Sequence, residues 1–228
     1  MAKNYLIPIL PIPNVVFYPN TVLPVYIMEP SYIKMIEEAA ANEQLVGISL
    51  AEPLDGFNQD KTRYTPRMIC SVGIPVIVEP FEEGTLKILM KGVKRVELMG
   101  IHQNLPYLIF EARDMPDSDN DAILNTGMVE RLSTILDSWL MENVTNSVER
   151  EGFYQNLTTL KHIVDYLCMF LINDVSMRQI LLEKRSLVER IHILNSLLRE
   201  NNPYEEDFLV LNAFMHYEDI EKNYKISH

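Results

Sequence analysis

Near residue 115 the hydrophobic period of this chain changes, and no other feature constrains its fold more. Up to that point short β-branched and aromatic runs are separated by Pro and Gly turn signals, at residues 5–9, 22–28, 45–51, 69–78, 85–99 and 107–113. Beyond it, apolar residues recur at steps of three and four. A period of two places alternate side chains on one face of a strand, and a period near 3.6 does the same for a helix. One chain that holds both, in separate halves, is expected to fold as α+β. Residues 114–121 (Asp-Met-Pro-Asp-Ser-Asp-Asn-Asp) are polar, acidic and proline-containing, and read as a linker or as the cap of the first helix beyond them. The expected division is therefore a β-rich domain with one helix at 1–116 and a helical bundle at 117–228.

Local signals fill in this outline. Glu83-Gly84-Thr85 lies between two long β-rich runs, and Gly84 supplies the positive φ that a tight reversal needs. Pro30 suits a first helical position; Tyr32, Met35, Ile36, Ala39 and Ala40 then point inward, leaving Lys34, Glu37 and Glu38 to water. Leu124, Met128, Leu132, Ile135 and Trp139 mark one later helix, and Leu157, Leu160, Val164, Leu167 and Leu171 mark another. Ser176 with Gln179, and Ser186 with Glu189, have the spacing of capping boxes. The second opens a helix with Leu187, Ile191, Leu194 and Leu198 inward, stopped by Asn201-Asn202-Pro203. The pattern of residues 204–228 fits either a further helix or an ordered tail.

Charge and composition exclude some functions. The net charge of −12 is unfavourable for a phosphate backbone, so no nucleic-acid partner is expected. Up to Pro116 there are 10 basic and 13 acidic residues; beyond it, 10 and 19, so the second half carries most of the excess acid. Lys91, Lys94 and Arg95 form the only dense basic cluster, and simple alternation places Lys91 and Arg95 on one side and Lys94 on the other, a solvated and charge-balanced sheet face. The two cysteines, Cys70 and Cys168, sit in apolar runs and read as buried thiols of a cytoplasmic protein. Pro8, Pro11 and Pro13 interrupt the apolar start, arguing against a signal peptide, and no apolar stretch approaches membrane-spanning length.

No catalytic or metal-ligating constellation is expected. His102, His162, His192, His216 and His228 lack ligand spacing. Ser186 near Lys184 suggests a Ser-Lys nucleophile only superficially, because the serine is better used as a helix cap. Glu82-Glu83 reads as a solvated hairpin tip, and there is no Gly-x-x-x-x-Gly-Lys-Ser/Thr loop to cradle phosphates. No cofactor is expected. What remains is a surface. Twelve methionines, with aromatics at Tyr18, Phe57, Tyr64 and Phe81 in expected loops or turns, fit an adaptable protein-binding face, with core packing as the alternative role for most of the methionines.

The order of motifs over the first 115 residues resembles the amino-terminal domain of Lon proteases. Residues 7–27 (IPILPIPNVVFYPNTVLPVYI) run into Glu29-Pro30-Ser31-Tyr32, the strand at 45–50 comes next, then Val72-Gly73-Ile74, Gly84, Gly92, Arg95-Val96 and Leu105-Pro106-Tyr107-Leu108. Ile180-Leu181-Leu182-Glu183 and Val188-Glu189-Arg190 are similar, more weakly, to the helices that come after this domain in such proteins. Asn20 departs from the glycine common in the first turn, and Pro13 from a charged residue. The resemblance implies a PUA-like pseudo-barrel followed by a helical bundle, and a role in recognising client or unfolded protein segments, alone or with a separate protease or chaperone. It does not imply proteolysis, since in Lon proteases the ATPase and the Ser-Lys dyad belong to later modules. Two other readings stay open: a hydrolase with a site in the cleft between the halves, and an assembly partner that forms an oligomer.

Overall fold

The computed structural model describes residues 4–53, 64–81, 84–118 and 126–198, with side chains at 79–81 left out. Among them lie, in chain order, β1 (Tyr5–Ile12), β2 (Val22–Ile27), α1 (Pro30–Ala41), β3 (Val46–Pro53), β4 (Tyr64–Pro66), β5 (Ile69–Phe81), β6 (Thr85–Gln103) and β7 (Leu108–Asp114). Five helices complete the described chain: α2 (Thr126–Asn143), α3 (Ser147–Asn156), α4 (Leu160–Phe170), α5 (Val175–Glu183) and α6 (Leu187–Leu197). The α+β class and the change of period are as the sequence predicts. Leu124, the Glu82-Glu83 tip, the stop at 201–203, the segment 204–228, His216 and His228 lie outside the described residues.

The sheet closes on itself. β1 pairs antiparallel with β7, β7 with β6, β6 with β5 and β5 with β3, and β3 returns to lie parallel to β1. The parallel contact needs a crossover, which β2 and α1 supply. Alternation puts Ile7, Ile9, Cys70, Val72, Val96, Leu98, Phe110 and Ala112 together as a core inside the ring. β2 and the first half of β6 form a wing beside the ring, paired from Val22 with Lys91 to Ile27 with Leu86. α1 begins at Pro30, and its buried side chains are Met35, Ile36 and Ala39, with Lys34, Glu37 and Glu38 exposed. The β5–β6 hairpin turns at Gly84, whose φ is 90°.

A second, larger core joins the two halves without a break. Leu10, Phe17, Tyr18, Leu23, Met35 and Leu89 from the strand half are continuous with Leu136, Trp139, Leu167, Phe170, Leu181 and Leu194 from the helices. Trp139 stacks on Phe170 with centroids 5.7 Å apart, and Phe153 meets Tyr166 edge-on at 5.8 Å. One helix goes unread in the sequence, and one capping expectation fails. α3 carries no signal in the sequence pattern, because only Phe153 among its residues is buried and no apolar stripe marks it. α5 is capped by Asp174, which accepts from the Met177 amide at 2.7 Å, so Ser176 lies inside the helix and the box with Gln179 does not form. Ser186 does cap α6, accepting from the Glu189 amide at 3.3 Å.

Candidate functional site

Polar groups that neither half could bury alone meet where the strands face the helices. The loop after β1 turns at Asn20, whose φ of 59° lies in the left-handed region, a conformation that asparagine tolerates better than most residues. Asparagine fits here without backbone conflict and adds a contact, since its Nδ2 donates to Asp165 Oδ2 of α4 at 2.8 Å. Asp165 also accepts from Arg190 Nη1 of α6 at 2.8 Å. The second amino group of Arg190 reaches Asp117, which additionally holds Arg95 and, at 2.8 Å, Lys161 Nζ. Arg95 Nη1 donates to the carbonyls of Leu182 and Lys184 at 2.7 and 2.6 Å. The arrangement gives both terminal nitrogens of Arg190 and of Arg95 carboxylate or carbonyl acceptors, while Arg190 Nε is buried without a hydrogen-bond partner among the described residues.

Electrostatics reflect this geometry. Burial alone would raise Asp117, but Arg190, the hydrogen bond from Lys161, and Arg95 outweigh it and hold the carboxyl below the usual carboxylate range. Asp165 behaves oppositely. Complete burial outweighs Arg190 and the Asn20 donor, and the carboxyl is raised. Burial pushes both Cys70 and Cys168 up to about 12, so neither thiol is a nucleophile at neutral pH.

This junction corrects two sequence readings. Arg95 is not on a solvated face: it is 3% exposed, because the α5–α6 connection covers it. Alternation is a poor guide at this point because a register shift opposite Val72 and Gly73 leaves Val93 unpaired across the ladder. Tyr18 is not an exposed aromatic either. It is wholly buried, and its hydroxyl donates to the Arg178 carbonyl at 2.6 Å, an example of a loop ring drawn inward by a partner 160 residues away. Tyr64, in the short β4, does stand out from the surface at 46% exposure. The Phe81 side chain and all of Phe57 lie outside the described residues. The structure therefore does not bring the four aromatics together into one described patch.

Other exposed apolar side chains escape the sequence reading. Met99 (44%), Ile101 (58%) and Leu105 (82%) line the end of β6 and the turn after it, and Met68 (46%) is joined to the same stretch through its carbonyl, which accepts from the Leu98 amide at 2.7 Å. Their apolar character is visible in sequence, but their exposure depends on how far β6 outruns its neighbour. Ser186 serves its cap while Lys184 pairs with Glu189 at 3.4 Å, so the two do not form a nucleophile and base. No group of three or more His, Cys, Asp or Glu suited to a metal occurs among the described residues, and no described helix is long and apolar enough to cross a membrane.

A closed, mostly antiparallel sheet locked to a helical half defines an α+β domain. The model of the ATP-dependent protease La (LON) substrate-binding domain matches residues 6–200, and the chain belongs to that family. Lon protease 1 of Herpetosiphon aurantiacus is 28% identical over 208 residues, covering 86% of this chain and 24% of that protein. The Lon protease of Buchnera aphidicola is 22% identical over 205 residues, covering 86% of this chain and 25% of the relative. The chain thus spans about a quarter of these relatives, and the matched region is their substrate-binding part rather than the ATPase or protease. Two solved structures share the fold. The Lon N-terminal domain protein from Xanthomonas campestris superposes with a TM-score of 0.59 at 17% identity, covering 84% of this chain and 98% of that one. The N-terminal domain of the Mycobacterium avium complex Lon protease gives 0.63 at 16%, covering 87% and 100%.

Proposed function

We propose that this chain is a non-catalytic protein-binding module that recognises exposed segments of client or partner proteins. Membership of the substrate-binding family over residues 6–200 carries the reading. The apolar side chains left in water at Met68, Met99, Ile101 and Leu105 support it, as does Tyr64. Tyr64, Phe57 and Phe81 stay in the proposal as contact residues; Tyr18, being buried, serves the fold. The closed ring supports kinship with PUA-like barrels, and α2 to α6 are read as a bundle, with the domain boundary at 116/117. A reducing cytoplasmic setting is consistent with two buried free thiols. Cooperation with a separate protease or chaperone, and self-association, belong to the same proposal.

The alternative of a hydrolase in the cleft between the halves has less support, because the described junction is filled by Tyr18, Arg95, Arg190 and their partners. A permanently unfolded, reduced and alkylated protein is the test ligand for the leading reading. Saturable binding by fluorescence anisotropy, with no cleavage or other turnover, is the expected result. Failure to bind together with measurable turnover of a peptide would replace the binder with the enzyme.

A further inference from the structure

We propose that the end of β6 beyond Leu98 is a strand-addition site for a short, extended apolar segment carrying a lysine or arginine. The inference rests on the client-binding reading above and names where that binding occurs. β6 outruns β5: their ladder stops at Ile69 opposite Glu97, and the Leu98 amide finds the Met68 carbonyl. From Gly100 to Gln103, β6 pairs with β7 on one side, and on the other it has no partner strand among the described residues. An edge of this kind offers unpaired N–H and C=O groups to an incoming chain. Its side chains suit an apolar guest, since Met99, Ile101 and Leu105 are 44, 58 and 82% exposed. Register shifts between Leu98 and Gly100 and between Ile101 and Gln103 limit the added ladder to a few residues, which favours a short segment over stacking of whole sheets.

Gly100 supplies the second line of argument. A Cβ built there would meet nothing within 4 Å, and its φ is not positive, so neither packing nor backbone conformation within the chain calls for glycine. A missing side chain in a strand lets another backbone approach closely. It also opens a path to Glu111, which lies opposite Gly100 on β7 and is exposed. The Glu111 carboxylate is held by the neutral amide of Asn4 at 2.9 Å, so its charge is uncancelled by that bond. An added strand would lie two strand spacings from β7, about 10 Å, a span that a lysine or arginine and a glutamate bridge together. The net charge of −12 favours the same sign of guest.

The test uses the full chain and a fluorescein-labelled peptide of alternating valine and lysine. Two companions accompany it, one with lysine replaced by glutamate and one N-methylated at alternate backbone nitrogens. Hydrogen exchange is expected to slow at residues 99–103 when the lysine peptide binds. The glutamate and N-methylated peptides should each bind at least about tenfold more weakly, a loss readable by anisotropy. Glu111→Gln should erase the preference for lysine over glutamate, and Ile101→Ser, at an exposed position, should weaken binding with no change in melting temperature. Protection elsewhere, indifference to N-methylation, or no peptide binding while the unfolded protein still binds overturns the edge assignment and leaves client recognition standing. Loss of binding to the unfolded protein as well defeats the functional reading itself.

Discussion

Three cations converge on Asp117, and the carboxylate does most to neutralise Arg95, Arg190 and Lys161. Removing a partner from such a cluster leaves a desolvated charge. Arg190→Ala is therefore expected to lower unfolding free energy by about 3–5 kcal/mol, read from denaturant midpoints at constant slope. The pH dependence has a definite sign. Asp117 has a depressed pKa in the folded state, so its contribution is full above the ordinary carboxylate range and is lost as pH falls through its folded value. Asp165 is raised and works the other way, its protonation relatively favouring the fold as pH drops. Asp117→Asn should accordingly flatten the acid limb of a plot of melting temperature against pH; an unchanged limb would remove Asp117 from the account. Little of this is legible in sequence. Arg95 reads as a surface cation and Tyr18 as an exposed ring because both are buried by residues on α5 and the α5–α6 connection, more than 80 positions away. Asn20 is visible as a departure from glycine, and its φ of 59° and its bond to Asp165 supply the physical reason.

Among the elements, β6 does the most. It forms the wing with β2, closes the ring with β5 and β7, and approaches the first loop at Gly92, whose amide donates to Thr21 O at 2.8 Å. A Cβ at Gly92 would stand 2.2 Å from the Tyr18 carbonyl and 3.0 Å from Pro19 Cα, both backbone atoms. Gly92→Ala is expected to shift the loop or prevent soluble folding, with a fall in melting temperature as the measure, whereas Gly100→Ala, in open space, should leave it unchanged. Helix caps offer a smaller comparison. Asp174→Ala should cost about 1 kcal/mol in α5, and Ser176→Ala should cost less, in contrast to the capping box read from spacing. Elements with a strong local signature are legible in the sequence: α1 from Pro30 and its inward stripe, and the hairpin from Gly84. α3 and β4 are not, since one buried phenylalanine and a three-residue ladder leave no period to detect.

Over the whole molecule, one hydrophobic core and one set of ion pairs cross from strands to helices, so the two halves are expected to unfold together. The single tryptophan, Trp139, lies in α2 and reports on the helical half, while far-ultraviolet dichroism near the β signal reports on the ring. Coincident denaturation curves from the two probes are predicted for the native chain, and separated curves for Arg95→Ala; separation in the native chain would show that the junction does not couple the halves. The order of motifs makes the overall fold legible, because each segment keeps its local pattern. The junction and the exposed end of β6 stay hidden, because they are products of which strand ends where. The closing contact of the ring has a mechanical corollary. β1 is held on both sides, parallel to β3 and antiparallel to β7, through residues 9–12 and 5–9. Tension drawn along the strand from Tyr5 loads the β7 ladder in shear and passes through Ile9, the residue common to both ladders, to the β3 ladder, so β1 is a firm handle for force.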